Sequence, residues 1–292
     1  MFEDLKIGEF INKFSQVFSR KRMIIAKSAK DLDKMREVGE LIAEVRETLR
    51  KMIEPGISTL DLNATAEKMM RGFGAIPTFI GYKPHGMTPF PFAICASVNE
   101  AIVHGFSNDK PLKEGDIVSL DMAATYNGFV GDTAFTAPVG EITDELKQLI
   151  KVTEDCLNFG IAQCYPNKRV GDIGWAVQQH ADKFGYGIVR DYTGHGIGRS
   201  MHESPQIANY GRAGTKEKIR PGYCFAIEPM LNLGSPETKT LADQWTVITK
   251  DGKASAHAEH TIAVTHDGPE ILTLTKEQKA QLNNGKSETV AA

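Results

Sequence analysis

Asp121 and Asp132 lie on the two sides of an Asn127-Gly128 dipeptide, in a stretch whose pattern predicts a β-hairpin. With a two-residue turn, Asp121 faces Ala134 and Ala123 faces Asp132. Because opposite residues share a face and side chains alternate along a strand, both carboxylates point to the same side. As diagonal neighbours they are expected about 7 Å apart. The sequence therefore predicts a pair of acids at the centre of one hairpin face.

Two neighbouring carboxylates need a positive partner if the rest of the chain covers that face. Burying unpaired charges costs several kcal/mol each, and no lysine or arginine stands on the polar face of the hairpin. A pair of divalent metal ions, roughly 3.5–4 Å apart, would fit between such acids. A solvated hairpin with two incidental aspartates is the alternative, and the hairpin alone does not decide between the two.

Three further residues have types and positions that suit metal binding. His195 lies within Gly194–Gly198, where flanking glycines leave the imidazole unobstructed. Glu228 ends an apolar strand just before a proline, and Glu259 opens another apolar strand, where a buried acid needs a counter-charge. Taken alone, each of the three is more often structural than catalytic.

The elements that position these residues are predicted in a repeated order. Ser28, followed by Asp31, matches a capping box before a helix that ends at Pro55-Gly56. Ser58 caps a second helix that ends near Gly72. Two more helices are predicted over 143–165 and 170–184, and strand-like runs over 92–104, 116–125, 186–198, 223–233, 244–250 and 257–265.

A short internal match supports a duplication behind this order. Gly115–Asp121 aligns with Gly222–Glu228, since each has a glycine turn, an apolar strand and then a carboxylate. Together with two rounds of helix–helix–strands, the match predicts an α+β fold with two pseudo-symmetric halves.

Composition excludes several classes of function. The 292 residues are 41% apolar and 24% charged, and the net charge of −3 gives no basic surface for nucleic acid. The four cysteines form no C-x-x-C pair, which indicates a reducing compartment. No apolar run reaches the roughly 18 residues that span a membrane, and the N-terminus lacks a secretory signal. We therefore expect a cytoplasmic protein, without membrane or nucleic-acid partners.

The two ends of the chain are expected to lie outside the main domain. Residues 1–24 form an N-terminal extension, in which Phe10, Phe14 and Phe18 recur at helical spacing and predict a short surface arm. Residues from Lys276 to the end are polar and are predicted to form a frayed tail, 276–292.

Six short segments together resemble the type I methionine aminopeptidases, in order and at matching spacing, over roughly residues 24–272. They are Ser97–Glu100 with His104, Asp121 with Gly131–Thr133, Gly194–Gly198, His202-Glu203, Ile227–Met230 and Glu259–Thr261. The resemblance implies the pita-bread fold, an antiparallel sheet covered by helices, as a catalytic domain over 25–275. It also implies removal of the N-terminal methionine from nascent proteins by attack of a metal-bridging hydroxide on the first peptide bond.

The resemblance also implies the roles of the site residues. Asp132 and Glu259 would bridge two divalent ions, Asp121 would chelate one, His195 would bind the other, and Glu228 would be a ligand that also moves a proton. Cobalt, manganese, iron and zinc all suit such ligands, and the sequence does not choose among them. His104 and His202 would contact the substrate as catalytic residues. The methionine pocket would consist of Tyr82, Phe90, Cys95, Met201 and Trp245, although core packing is an equal alternative for Cys95.

Two departures from the family pattern affect these expectations. The loop 83–89 is longer than the family usually carries and borders the expected pocket. His257 stands where the family commonly has glutamine, either as a hydrogen-bond donor behind the ligands or as a group that competes for the metal. His180, in the middle of a predicted helix, is expected to be structural.

Two alternative functions share part of the pattern. Proline-directed aminopeptidases and dipeptidases have the same fold but carry a large additional N-terminal domain. A non-catalytic binding module of this fold would be expected to lose ligands, whereas all five are present. We expect a monomer that acts on the N-terminal methionine of nascent polypeptides, with the ribosome as a candidate partner.

Overall fold

The computed structural model describes residues 23–84 and 86–289. Within these residues, the first two helices begin at the caps that the sequence predicts. Helices α1 (Ala29–Met52) and α2 (Thr59–Gly72) follow Ser28 and Ser58, each of which forms a capping box with the aspartate three residues on. Helices α3 (Asp144–Ile161) and α4 (Val170–Ala181) follow, and a 3₁₀ turn extends α4 to Phe184. The four predicted helices are confirmed.

An antiparallel sheet of nine strands forms the main sheet of the described residues. Seven strands lie in the order β1-β4-β5-β14-β9-β7-β8, β2 pairs with β4, and β15 pairs with β14. With helices packed on its outer face, the fold is α+β, as predicted. These strands are β1 (Ile76–Pro77), β2 (Ile94–Val98), β4 (Ile117–Tyr126), β5 (Phe129–Pro138), β7 (Gly194–Gly196), β8 (Glu203–Ile207), β9 (Cys224–Ile227), β14 (Glu259–Val264) and β15 (Pro269–Ile271).

Two small sheets of three strands flank the large one. One has the order β13-β10-β6 and the other β11-β12-β3, and all their pairings are antiparallel. The strands are β3 (Ala101–Val103), β6 (Gly187–Ile188), β10 (Met230–Asn232), β11 (Thr238–Thr240), β12 (Val247–Thr249) and β13 (Ser255–His257).

The hairpin of β4 and β5 has the predicted register. Asp121 pairs with Ala134 and Ala123 pairs with Asp132, which places both carboxylates on one face. The opposite face packs on α1. At Gly131 a Cβ atom would lie 3.2 Å from the carbonyl oxygen of Val38, so α1 runs closely behind Asp132.

The two halves of the sheet repeat one backbone arrangement. Gly115 and Gly222 both have positive φ, +93° and +85°. The N–H of Gly115 donates to the carbonyl of Val139, and the N–H of Gly222 donates to that of Val264. Each glycine precedes a strand that brings an acid, Asp121 or Glu228, to the same cavity. The seven-residue match in the sequence is therefore a structural equivalence.

Several predicted elements differ in detail. The run 92–104 is two strands, β2 and β3, because Asn99 turns the chain with φ +52°. The runs 186–198, 223–233 and 257–265 are also divided, and β1, β8, β11 and β15 were not predicted. From Lys276 the chain forms a helix, α5 (Lys276–Thr289), where a frayed tail was expected. The predicted arm with Phe10, Phe14 and Phe18 lies outside the described residues.

No helix in the described part of the chain combines the length and the apolar character needed to cross a bilayer.

Candidate metal centre and substrate cavity

Strand pairing brings the predicted ligands to one face of the sheet. Ala134 on β5 pairs with Asp121 on one side and with Glu259 on the other. Glu228 follows the last residue of β9, next to β14. One row across four strands therefore contains three acids.

A second row lies two residues along the same face. Ala226 on β9 pairs with both Thr261 and His195. The hydroxyl of Thr261 accepts from the N–H of Asp132 at 3.0 Å and donates to the carbonyl of Asp132 at 2.7 Å. Asp132 and His195 thus stand beside the first row, and all five predicted ligands converge.

A cavity of about 330 Å³ opens over this face. It is lined by every residue that the sequence analysis assigned to the site, whereas His180 lies elsewhere, between Phe159 and Phe184. The assigned residues are Tyr82, Phe90, Cys95, His104, Asp121, Asp132, His195, Met201, His202, Glu228, Trp245 and Glu259.

The acids of the cavity repel one another. Burial raises the pKa of Asp121 to about 7. Burial, followed by neighbouring carboxylates, raises the pKa values of Asp132, Glu228 and Glu259 well above their usual range. A cation at this place would reverse these shifts, since it favours the charged form of each acid.

Several buried polar atoms in the site have no hydrogen-bond partner among the described residues. They include Asp121 Oδ1, Asp132 Oδ1 and Glu259 Oε1. Asp132, His195 and Glu259 each offer one ligand atom, and these atoms lie within 4.8 Å of one another. Because buried polar atoms are almost always satisfied, the donor set fits a bound divalent cation.

The orientation of His195 suits a ligand. Its Nδ1 lies 2.9 Å from the carbonyl oxygen of Gly196, a contact that assigns the proton to Nδ1 and leaves Nε2 with a free electron pair. Nε2 lies 3.4 Å from Glu228 Oε1. Burial lowers the pKa of His195 to about 4, so the ring is neutral near pH 7.

The two other histidines of the cavity are held by aromatic neighbours. His202 Nδ1 lies 2.9 Å from the hydroxyl of Tyr82, and its ring meets the His195 ring edge-on at 4.4 Å. His104 packs edge-on against Tyr192 and Trp245. Burial lowers the pKa of His104 to about 4, and burial followed by the neighbouring His195 and His104 lowers the pKa of His202 well below its usual value. Both rings are therefore neutral groups for hydrogen bonding.

The apolar end of the cavity is built from aromatic rings and sulfur. Phe90 and Trp245 meet edge-on at 5.1 Å, and Tyr82 lies 6.3 Å from Trp245. The indole N–H of Trp245 donates to the carbonyl of Thr88 at 3.0 Å, which ties the ring to the loop 83–89. In that loop, His85 lies outside the described residues. Cys95 and Met201 complete the lining, and such groups suit a thioether side chain.

Several residues that support the site were not identified from the sequence. Tyr192 and Phe79 line the cavity, and Asn209 donates a hydrogen bond to the carbonyl of Glu228 at 3.0 Å. Lys27 forms an ion pair with Glu203, the residue after His202. Tyr192 stands three residues before His195, but nothing in its spacing distinguishes it from a core aromatic.

His257 lies behind the acids. Its Nε2 has no hydrogen-bond partner among the described residues and is 3.9 Å from Glu228 Oε2. Burial lowers the pKa of His257 to about 3. A neutral ring at this place favours the role of hydrogen-bond donor over that of a competing cation.

Comparison with known proteins places this geometry in a class. The sequence model of metallopeptidase family M24 matches residues 33–266. The chain belongs to metallopeptidase family M24, so it is a metal-dependent enzyme that hydrolyses peptide bonds.

Within this family, the similar proteins include methionine aminopeptidases. Methionine aminopeptidase 1 of Bacillus subtilis is 47% identical over 251 residues, 86% of this chain and 99% of that protein. Methionine aminopeptidase B of Synechocystis is 48% identical over 252 residues, 86% of this chain and 92% of that protein. The predicted resemblance to methionine aminopeptidases is confirmed.

Solved structures agree with the fold. The methionine aminopeptidase of Rickettsia prowazekii superimposes with a TM-score of 0.83 at 44% identity, covering 86% of this chain and all of that one. The prolidase of Pyrococcus furiosus has a TM-score of 0.68 at 21% identity, covering 87% of this chain and 66% of that one, and shares the fold alone. The predicted pita-bread fold is confirmed.

Proposed function

We propose that this protein is an aminopeptidase that removes the N-terminal methionine from polypeptides with the help of two bound divalent ions. The observation that carries the proposal is the convergence of four acids, two of them buried and two partly buried, and one neutral histidine at one end of a cavity. The other end of that cavity is lined by aromatic rings and sulfur. The proposed ion-binding site therefore lies next to a pocket that suits a thioether side chain.

The chain's own side chains divide into ligands and substrate contacts. Asp121, Asp132, His195, Glu228 and Glu259 would hold the ions. Bound divalent ions supply a Lewis acid for a carbonyl and lower the pKa of a coordinated water toward 7. The native metal is one of cobalt, manganese, iron or zinc.

The remaining polar groups act on the peptide. Glu228, whose two oxygens face His195 and His257, takes up and returns a proton. His202, held by Tyr82, hydrogen-bonds the carbonyl of the first residue, and His104 contacts the amide that is cleaved. Tyr82, Phe90, Cys95, Met201 and Trp245 surround the methionine side chain.

Cleavage of two tripeptides tests the proposal. We expect hydrolysis of Met-Ala-Ser but not of Ala-Pro-Ala, and we expect a chelator to abolish it and added metal to restore it. Cleavage of Ala-Pro-Ala instead would identify a proline-directed peptidase. No cleavage of either peptide by the metal-loaded protein would identify a binding module.

The cellular setting is part of the same proposal. The four cysteines, Cys95, Cys156, Cys164 and Cys224, are buried free thiols, as expected in a reducing cytoplasm. We infer a monomer that acts on nascent chains in the cytoplasm, with the ribosome as the candidate partner. Sedimentation of the purified protein, alone and with ribosomes, tests both points.

A further inference from the structure

A buried ion pair lies beside the cavity without taking part in its lining. Lys27 Nζ is 2.7 Å from Glu203 Oε2, and the two side chains are only 5% and 16% exposed. Lys27 lies just before α1, and Glu203 is the first residue of β8. The pair therefore joins two segments that are far apart in the sequence.

The second oxygen of Glu203 organises the segment that precedes it. Glu203 Oε1 accepts from the N–H of Arg199 at 2.8 Å and from the N–H of Ser200 at 3.2 Å. The N–H of Gly198 donates to the carbonyl of Ser200, so the segment folds back around the carboxylate. A Cβ atom on Gly198 would collide with the side chain of Lys27, which passes directly beside the backbone.

This segment, Gly198–His202, carries two residues into the cavity. Met201 is 7% exposed, and both Met201 and His202 line the cavity. The described contacts of His202 come from Tyr82 on one side and His195 on another. Glu203 therefore holds the backbone that positions His202, and Lys27 holds Glu203.

We propose that the Lys27–Glu203 ion pair positions His202 for catalysis by holding the segment Gly198–His202 in place. Lys27 and Glu203 are positioning residues, since neither lines the cavity. The inference rests on the proposed function, because it requires that His202 contacts the substrate carbonyl. A displacement of about 1 Å at such a contact can cost about 100-fold in rate.

The structure contains a matched control for this pair. Arg199 Nη2 lies 3.0 Å from Asp31 Oδ1, and the Arg199 side chain is 67% exposed. That surface pair joins the same two segments as Lys27 and Glu203. The variant Arg199→Met removes the surface link and leaves the buried pair and the backbone N–H of residue 199 in place.

The test compares kinetics with metal content and folding. Lys27→Met should lower kcat/KM for Met-Ala-Ser about 10- to 100-fold, mainly through kcat, with unchanged metal content. Lys27→Arg should recover most of the loss, and Arg199→Met should stay within about twofold of the wild type. If Lys27→Met does not fold, Glu203→Gln replaces it, because the amide keeps an acceptor for both N–H groups and removes the charge.

A double-mutant cycle separates positioning from a general structural role. In a His202→Ala background, Lys27→Met should change kcat/KM by less than about twofold, because the group it positions is gone. An equal loss in both backgrounds, or wild-type activity in Lys27→Met, overturns the inference. Failure of the wild type itself to cleave Met-Ala-Ser would instead reject the proposed function.

Discussion

Asp121, Asp132, Glu228 and Glu259 have one property in common at the scale of single residues: burial raises the pKa of each. Four such acids in one cavity destabilise a fold unless a cation compensates them. A cation-binding site therefore explains why these acids lie in the centre of the sheet, whereas core packing does not.

Asp132→Asn provides the sharpest test of this site. The amide keeps the shape but loses the charge that a bridging ligand needs, so we expect kcat/KM for Met-Ala-Ser to fall more than about 100-fold. Metal content by elemental analysis should fall with it. Asp109→Asn, at an exposed position, is the control. Full activity of Asp132→Asn would remove Asp132 from the ligand set.

The same acids predict an unusual pH dependence for the metal-free protein. The pKa of Asp121 rises from 3.8 to about 7, so between these values the folded state binds more protons than the unfolded state. Stability should therefore fall as the pH rises through this window. Because bound metal favours the charged form of these acids, the stabilisation of the folded state by metal should increase as the pH rises through the same window.

Urea unfolding with and without chelator, between about pH 5 and pH 8, measures this effect. The metal-free midpoint should decrease with pH, and Asp121→Asn should reduce the slope. A metal-free midpoint that stays constant across the window would contradict the assignment.

At the scale of elements, the sequence predicted what local chemistry decides. The hairpin register follows from Asn127-Gly128, which turns the chain within two residues, and the starts of α1 and α2 follow from their capping boxes. Strand β8 was missed because it contains Pro205 and lies at the edge of the sheet, where the alternating pattern is weak.

The last helix was missed although it has a local signal. Thr275 and Gln278 exchange hydrogen bonds between side chain and backbone, as in a capping box. The residues that follow them are polar and give no amphipathic pattern, so apolar periodicity does not reveal α5.

The sequence identified those candidate site residues that belong to short local motifs. The proposed ligands could be identified because each stands in a short, distinctive sequence segment. Lys27 and Tyr192 could not, because their roles depend on packing between distant segments, which no local spacing reports.

Gly128→Ala tests the hairpin as an element. Gly128 has φ +78° and nothing within 4 Å of an added Cβ, so backbone strain alone should cost about 1–2 kcal/mol of unfolding free energy. Gly72→Ala, equally open but without positive φ, should be neutral or stabilising by about 0.5 kcal/mol. Denaturant unfolding compares them, and equal effects would contradict the turn geometry.

At the scale of the whole molecule, each half contributes part of the proposed ligand set. Asp121 and Asp132 come from the hairpin of the first half, whereas His195 and Glu259 lie in strands of the second half and Glu228 directly follows one. Metal should therefore stabilise both halves together, by about 2.7 kcal/mol at a free concentration 100 times its Kd.

Single-tryptophan variants can report on the halves separately. Trp245 packs in the same core cluster as the apolar face of the first-half hairpin, and Trp175 lies on α4 in the second half. In Trp175→Phe and Trp245→Phe, fluorescence-detected unfolding should show metal raising both midpoints equally. A rise seen by only one tryptophan would mean that the ions are held by one half.

Strand β14 lies between β5 and β9, although it comes after both in the chain. During synthesis, the centre of the sheet thus stays open until residues 259–264 have emerged, and Glu259 arrives with them. A chain that is still being made, or one cut short before this strand, lacks Glu259, a proposed ligand, and the strand that carries it. We therefore expect no activity from a chain whose synthesis has not yet passed this strand.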